Sequence, residues 1–170
     1  MSDGITADRL RIVRPDIYPD AKCARCEAVE TQAHVWECQG GITATSVVES
    51  TREWVFARLV DKCQDVSRVP HVQDVLPLVG MQASDVVRGI CPAMWVGQFV
   101  EAGLATADAR RLAVKAVERV VSGAREQIWK ARCKARVQRE KELGITASRM
   151  RRVRQGAGGK RDDYTESSGW

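Results

Sequence analysis

Hydrophobic residues recur mainly at three- and four-residue intervals along the chain, and alternating strand-like patterns are nearly absent. This periodicity predicts a mainly α-helical protein. The longest amphipathic stretch covers residues 107–143, with Thr106 as the expected N-cap and Asp108 in the first turn, where the helix dipole favours an acid. Its apolar positions form one stripe that is expected to face a core or a partner: Ala109, Leu112, Ala113, Ala116, Val117, Val120, Val121, Ala124, Ile128, Ala131 and Ala135.

The tetrapeptide Gly-Ile-Thr-Ala occurs three times, and each copy has the features of a helix start. If the threonine is the N-cap, the isoleucine before it and an apolar residue four positions after it form a hydrophobic staple. The pattern therefore predicts N-caps at Thr6, Thr43 and Thr146, with Gly144 ending the long helix. Three copies without a regular period do not make a solenoid.

Three of the six cysteines and one histidine lie within sixteen residues, in the spacing C-x2-C-x7-H-x3-C. The four residues, Cys23, Cys26, His34 and Cys38, suffice to close a tetrahedral Zn²⁺ site. His34 and Cys38 are four residues apart, so they share one face of a short helix that Thr31 can cap. Because no ligand position is left for water, the spacing predicts a structural zinc and no zinc-bound hydroxide.

Two alternatives to a zinc site are a redox C-x-x-C motif and unpaired buried thiols. A redox motif requires a βαβ context, which is missing, and it leaves His34 and Cys38 unexplained, so zinc is favoured. Lys22 and Arg25 are expected to offset the negative charge of a Cys3His site and to be within reach of a phosphate. On the same helix as His34, Trp36 is expected to dock the module onto a neighbouring helix. The remaining thiols are expected to be buried or inert: Cys63, Cys91 and Cys133.

The 170-residue chain has a net charge of +5, and this charge is unevenly distributed. Residues 125–161 hold 13 of the 27 basic residues and three acidic ones, which makes this segment +10 and the remainder −5. A basic segment on an acidic body is typical of polyanion contact and predicts RNA or DNA as the partner, bound mainly through phosphates. Trp129 either stacks on a base or belongs to the core. The predicted phosphate ligands are Arg125, Lys130, Arg132, Lys134, Arg136, Arg139, Lys141, Arg149, Arg151, Arg152 and Arg154.

Three parts are expected along the chain. Residues 1–40 form an N-terminal helix and a small Cys3His zinc knuckle, residues 41–143 form a helical domain that ends in one long basic helix, and residues 144–170 form a basic, partly disordered tail. Neither a secretory signal nor a membrane-spanning stretch is recognisable, so we expect an intracellular protein of the nucleus or cytoplasm. Phosphate-binding, dinucleotide, nucleophile-elbow and HExxH motifs are also missing, which predicts that the chain is not an enzyme.

The pattern Cys23-x2-Cys26-x3-Glu30-Thr31-x2-His34-x3-Cys38 resembles the zinc-binding segment that follows the polymerase domain in reverse transcriptases of non-LTR retrotransposons. The Arg-rich lead-in over residues 10–19 is also similar, and the segment 128–133 looks like the Trp- and Arg-bearing helix near the end of such polypeptides. The resemblance implies binding of template RNA or target DNA. No catalytic Tyr-x-Asp-Asp tetrapeptide is present, so the chain looks like the detached C-terminal end of such an element.

Two alternatives to nucleic-acid binding remain. The chain can be a non-catalytic helical protein-interaction module, in which the Ala-rich stripe pairs with another helix and supports self-association. It can also be a relic gene fragment of a retrotransposon.

Overall fold

The computed structural model of the protein describes residues 5–146 and Ser148. The described residues contain no strand, and the prediction of a mainly α-helical fold is confirmed. Short 3₁₀ turns lie at Val66–Arg68 and Val72–Asp74. The helices are α1 (Ala7–Val13), α2 (Gln32–Glu37), α3 (Ala44–Lys62), α4 (Ala83–Val87), α5 (Ala93–Glu101), α6 (Thr106–Gly123) and α7 (Lys130–Glu142).

Threonine hydroxyls cap the first three helices, as the sequence predicted. Thr6 accepts a hydrogen bond from the Arg9 backbone N–H, Thr31 from that of His34, and Thr43 from that of Ser46, at 3.4, 3.2 and 3.2 Å. Each bond satisfies one of the N–H groups that a helix start leaves without a partner. The helix predicted after Thr146 lies largely outside the described residues.

The long C-terminal helix spans 37 residues, from 106 to 142, and consists of α6, a wide π-type turn at Ala124–Trp129, and α7. It ends as predicted at Gly144, whose φ of 66° suits glycine, and two reverse hydrogen bonds close the end, from Gly144 N–H to the Lys141 carbonyl and from Ile145 N–H to the Glu140 carbonyl. The predicted start is wrong by one residue. Thr106 is the first helical residue, so the cap is Ala105, which offers no side-chain hydrogen bond.

The wide turn changes which residues of the long helix face inward. Up to Ile128 the predicted stripe is correct, because its members are buried except for half-buried Val121. A π-type turn accommodates an extra residue and so rotates the helix face that follows. After it, Arg132 is buried where the sequence predicted Ala131, which is exposed, and Ala135 is only half-buried. The continuation of the stripe to Ala131 is therefore wrong.

The core lies between α3, α4, α5 and α6, and its largest buried side chains include Trp95, Phe99 and Leu59. Helices α3 and α6 approach closely at Gly123, where a Cβ atom would lie 2.9 Å from Val47 Cγ1. Val35 and Trp36 of α2 belong to the same core, so the N-terminal region packs directly on the helices. None of the described helices is long and apolar enough to span a membrane.

Candidate metal centre

The first half of the site is a tight turn that holds Cys23 and Cys26 on the same side. A single antiparallel bridge between Lys22 and Val29 closes the turn, and the Cys23 N–H donates to the Ala28 carbonyl at 2.7 Å. Glu27 takes a left-handed conformation, with φ of 63°, and its N–H donates to the Cys23 carbonyl. The chain therefore reverses within a few residues, and this reversal brings the two thiols together.

The second half is helix α2, which Thr31 caps and after which Cys38 follows directly. His34 and Cys38 lie about one helical turn apart and on the same side, as the sequence predicted. The segment after Cys38 then passes against the first turn at Gly40, where a Cβ atom would lie 2.8 Å from the Arg25 carbonyl oxygen. Glycine at this position is required for the two halves to approach one another.

The four predicted ligands converge, with all four ligand atoms within 4.8 Å of one another. The Sγ atom of Cys38 lies 3.7 Å from that of Cys23 and 3.5 Å from that of Cys26, and Cys26 Sγ lies 3.2 Å from His34 Nε2. Tetrahedral zinc with Zn–S bonds of about 2.3 Å places its sulfur ligands about 3.8 Å apart. None of these cysteines forms a disulfide, so the donor set and its spacing fit a four-coordinate metal ion.

Backbone N–H groups point at the three sulfur atoms. The Arg25 N–H donates to Cys23 Sγ at 3.4 Å, and the N–H groups of Ala28 and Gly40 donate to Cys26 and Cys38. The Ala28 hydrogen bond lowers the pKa of Cys26, whereas burial raises the pKa of Cys38 to about 11. Donors of this kind orient and stabilise thiolate ligands, and a cation offsets the cost of burying their charge.

Residues beside the cluster differ in part from expectation. The Arg25 guanidinium turns inward and donates to the Val35 carbonyl at 3.4 Å, so it supports the fold of the site instead of extending toward a phosphate. Exposed Lys22 pairs with Glu27 at 3.6 Å. The three remaining cysteines are not part of the cluster: Cys63 is buried, Cys133 half-buried and Cys91 exposed.

Glu30, which lies between the two ligand pairs, forms a buried ion pair with Arg132 of α7. Their charged atoms are 2.5 Å apart, and the side chains are 4% and 3% exposed. The same carboxylate accepts the Ala7 backbone N–H at the start of α1, and Arg132 also donates to the Ile5 carbonyl. One ion pair thus joins α1, the metal-binding segment and the long helix.

Two further arginines of α7 extend this contact. Arg136 donates to the Ile5 carbonyl at 2.8 Å and lies over the Tyr18 ring, 5.5 Å from its centroid. Arg139 pairs with Asp20 at 3.1 Å and with Glu27 at 2.6 Å. Spacings of four and three residues place both on the same helix face as Arg132. We call Arg132, Arg136 and Arg139 the docking arginines.

Two tryptophans complete the contact between α2 and the long helix. The rings of Trp36 and Trp129 stack with centroids 6.3 Å apart, and the Arg132 guanidinium lies over Trp129. The prediction that Trp36 docks the module onto a helix is confirmed. Of its two predicted roles, Trp129 takes the one in the core, because its ring packs against the buried cluster and stacks on Trp36.

The predicted phosphate ligands therefore fall into three groups. Arg132 is buried and ion-paired, so it leaves the set, and Arg136 and Arg139 are half-buried and bonded to the N-terminal region. Four tail residues lie outside the described residues: Arg149, Arg151, Arg152 and Arg154. Four residues are exposed on the long helix: Arg125, Lys130, Lys134 and Lys141.

Sequence reasoning missed the docking role of Glu30 and of its arginine partner. The available signal was the spacing of basic residues at 132, 136 and 139, which marks one face of α7.

A scan against protein-family models gives no match to this chain, and searches of curated proteins and of solved structures also give none. The metal centre therefore rests on the geometry of the chain's own residues.

Proposed function

We propose that the chain is a zinc-stabilised module that binds nucleic acid. Zn²⁺ would be held by Cys23, Cys26, His34 and Cys38, whose convergence is the observation that carries the proposal. When bound, zinc supplies a cross-link between the turn at residues 23–26 and the segment of α2 and Cys38, and no ligand position is left for a reactive water. The role is structural.

The metal site and the long helix are linked through the carboxylates of the metal-binding segment. Glu27 and Glu30 both lie between ligands Cys26 and His34, and they pair with Arg139 and Arg132. A segment held by four metal ligands keeps these carboxylates in place, which lowers the entropic cost of each ion pair. Metal binding thereby stabilises the position of the long basic helix.

The nucleic-acid part of the proposal is supported by the charge of the C-terminal third. Besides the docking arginines, this segment carries exposed cations on the long helix and four arginines in the tail. Phosphate contacts of this kind are largely independent of sequence and weaken steeply with salt. The resemblance to retrotransposon reverse transcriptases points to the same partner class.

The test is a titration of fluorescently labelled RNA and duplex DNA at two salt concentrations. The arm variant carries Arg125→Gln, Lys134→Gln and Lys141→Gln. We expect it to bind more weakly and with a smaller salt dependence than the parent protein, because each lost phosphate contact lowers the slope of log K against log salt by about 0.7–0.9. No binding by the parent protein at low salt, or binding without salt dependence, would remove this function.

A matched control separates local contacts from loss of overall charge. The control variant carries Arg9→Gln, Arg11→Gln and Arg88→Gln, which are exposed arginines outside the long helix. Like the arm variant, it loses three positive charges. Equal weakening in both variants would show that net charge, and not the long helix, determines binding.

Helix-mediated self-association is the second candidate, and one observation favours it. The outer face of α7 carries apolar side chains between its lysines, and Val137 is 50% exposed. A second copy could cover this face. Sedimentation analysis should then show a dimer that Val137→Glu dissociates, whereas a parent protein that stays monomeric at all concentrations contradicts this candidate.

A further inference from the structure

A surface groove runs between α3 and α6, and no residue of the metal cluster lines it. The two helices are antiparallel, because the early residue Val47 of α3 meets Gly123 at the end of α6. Basic residues at four-residue spacing face the groove from both sides, and Trp54 faces it from α3. We call this surface the Trp54 groove, and it is lined on α3 by Trp54, Arg58 and Lys62 and on α6 by Arg111, Lys115 and Arg119.

Trp54 holds two guanidinium groups in the groove. The Cζ atoms of Arg58 and Arg119 lie 5.5 and 5.4 Å from its ring centroid, one from each helix. A cation–π contact orients a guanidinium but leaves its charge and its N–H donors available. The two arginines are thus positioned without being neutralised.

The positive charge of the groove is mostly unpaired. Arg111 pairs with Asp108 at 3.3 Å, and the other carboxylates along the groove are Glu118 and, at its far end, Glu126, which pairs with Lys130. Within the described part of the chain, four groove cations have no ion-pair partner: Arg58, Lys62, Lys115 and Arg119. Clustered like charges repel one another, so an anion in the groove relieves this repulsion.

The shape of the groove selects among anions. Cations four residues apart follow one another at about 6 Å along a helix, so each wall presents an extended row that suits a chain of charges better than a single small anion. The two walls are helices in close contact, since a Cβ atom at Gly123 would lie 2.9 Å from Val47 Cγ1, so the groove between them is narrow. A flexible single strand can follow such a groove along its length, whereas each strand of a duplex winds around the helix axis and can place phosphates in the groove over a short stretch only. The concave surface also does not match a flat membrane.

We propose that the Trp54 groove binds the phosphate backbone of single-stranded nucleic acid. The inference shares its class of partner with the proposed function but rests on a different surface, which lies outside the +10 segment. Contacts with the phosphates would come from the unpaired cations of both walls, while Trp54 keeps two of them in position. Such binding is independent of sequence and strongly dependent on salt.

The experiment measures binding of a labelled single-stranded 20-mer, as RNA and as DNA, at two salt concentrations. The groove variant carries Arg58→Gln, Lys115→Gln and Arg119→Gln. Three lost phosphate contacts should reduce the slope of log K against log salt by about 2, at about 0.7 per contact on a single strand. The control variant, which loses the same charge elsewhere, should keep the parental slope. Equal slopes in the groove and control variants would overturn the proposal.

A single substitution, the arm variant and lipid vesicles complete the experiment. Lys115→Gln alone leaves both guanidinium groups over Trp54 and should reduce the slope by about 0.7. If the arm variant binds normally while the groove variant does not, the proposed phosphate binding by residues 125–141 fails and the groove stands. The reverse result overturns the groove. Binding to phosphatidylserine vesicles without any binding of the 20-mer would assign the groove to a membrane and also overturn the proposal.

Discussion

The protein carries two basic surfaces that differ in how their charge is used. The docking arginines of α7 face carboxylates of the N-terminal region, and the pair at Arg132 is almost completely buried. In the Trp54 groove the unpaired cations outnumber the nearby carboxylates, and an aromatic ring orients two of them. The first surface holds the protein together, whereas the second is available to a ligand.

The net charge of a sequence segment therefore does not predict the net charge of a surface. The +10 segment contains all three docking arginines, whose partners Asp20, Glu27 and Glu30 come from the acidic remainder of the chain. The groove lies within that remainder, whose total is −5. The net charge counted along the sequence therefore points to the docking arginines as phosphate ligands, although they form ion pairs within the protein. The same count overlooks the cations of the Trp54 groove.

The largest effect is expected from loss of the metal centre. Structural zinc contributes about 10–16 kcal/mol of apparent binding free energy in small zinc modules, so Cys26→Ser/Cys38→Ser should unfold residues 5–40. Hydrogen exchange should show loss of protection there and at the docking face of α7. Cys91→Ser/Cys133→Ser, which removes two thiols outside the cluster, should leave exchange unchanged. Equal exchange in both variants would argue against a metal role.

The buried docking pair comes next. Arg132→Met leaves the Glu30 charge buried without a partner and should lower the free energy of unfolding by about 3–5 kcal/mol. Lys130→Met is the matched control, since its pair with Glu126 is 61% exposed on the lysine side and should cost about 1 kcal/mol or less. Denaturant unfolding measures both. Similar losses in the two variants would mean that the docking pair does not secure the module.

A smaller effect is expected at the cap of the metal-binding helix. Thr31→Ala removes the hydrogen bond to the His34 N–H and should cost about 1 kcal/mol. Thr106→Ala is the control, because this threonine follows the cap and makes no capping bond, so the change should be within about 0.5 kcal/mol. Thermal unfolding distinguishes them. A larger loss at Thr106 would show that this threonine caps the long helix after all.

The smallest effect on stability is expected in the groove. Arg58→Gln/Arg119→Gln removes two exposed cation–π contacts, worth about 0.5–1 kcal/mol each, and also relieves repulsion between the two cations. The free energy of unfolding should therefore change little, in contrast to Arg132→Met. A loss as large as that of Arg132→Met would make the groove a structural surface and erase the distinction between the two.

Much of the fold was accessible from the sequence because its signals are local. The threonine caps, the stop at Gly144 and the four metal ligands each depend on residues a few positions apart. The Arg132–Glu30 pair depends on residues 102 positions apart, and nothing in a single sequence indicates such a partner. The wide turn at Ala124–Trp129 was also missed, because it adds a residue to a pattern whose periodicity looks continuous.

The sequence contains a local signal for the Trp54 groove, which the prediction of phosphate ligands did not include. Trp54, Arg58 and Lys62 follow one another at four-residue spacing on α3. Arg111, Lys115 and Arg119 do the same on α6, so each helix has a stripe whose charged members are all basic. What the sequence lacks is the antiparallel packing that brings the two stripes together. The surface exists only in the tertiary structure.

The metal content of the protein tests the account most directly. Elemental mass spectrometry of the parent chain, purified without chelators, should give one zinc per chain, and Cys26→Ala/Cys38→Ala should contain none. The four-ligand cluster of the described residues predicts this stoichiometry. A parent protein that contains no metal, and whose thermal unfolding is unchanged by added zinc or by a chelator, would contradict it.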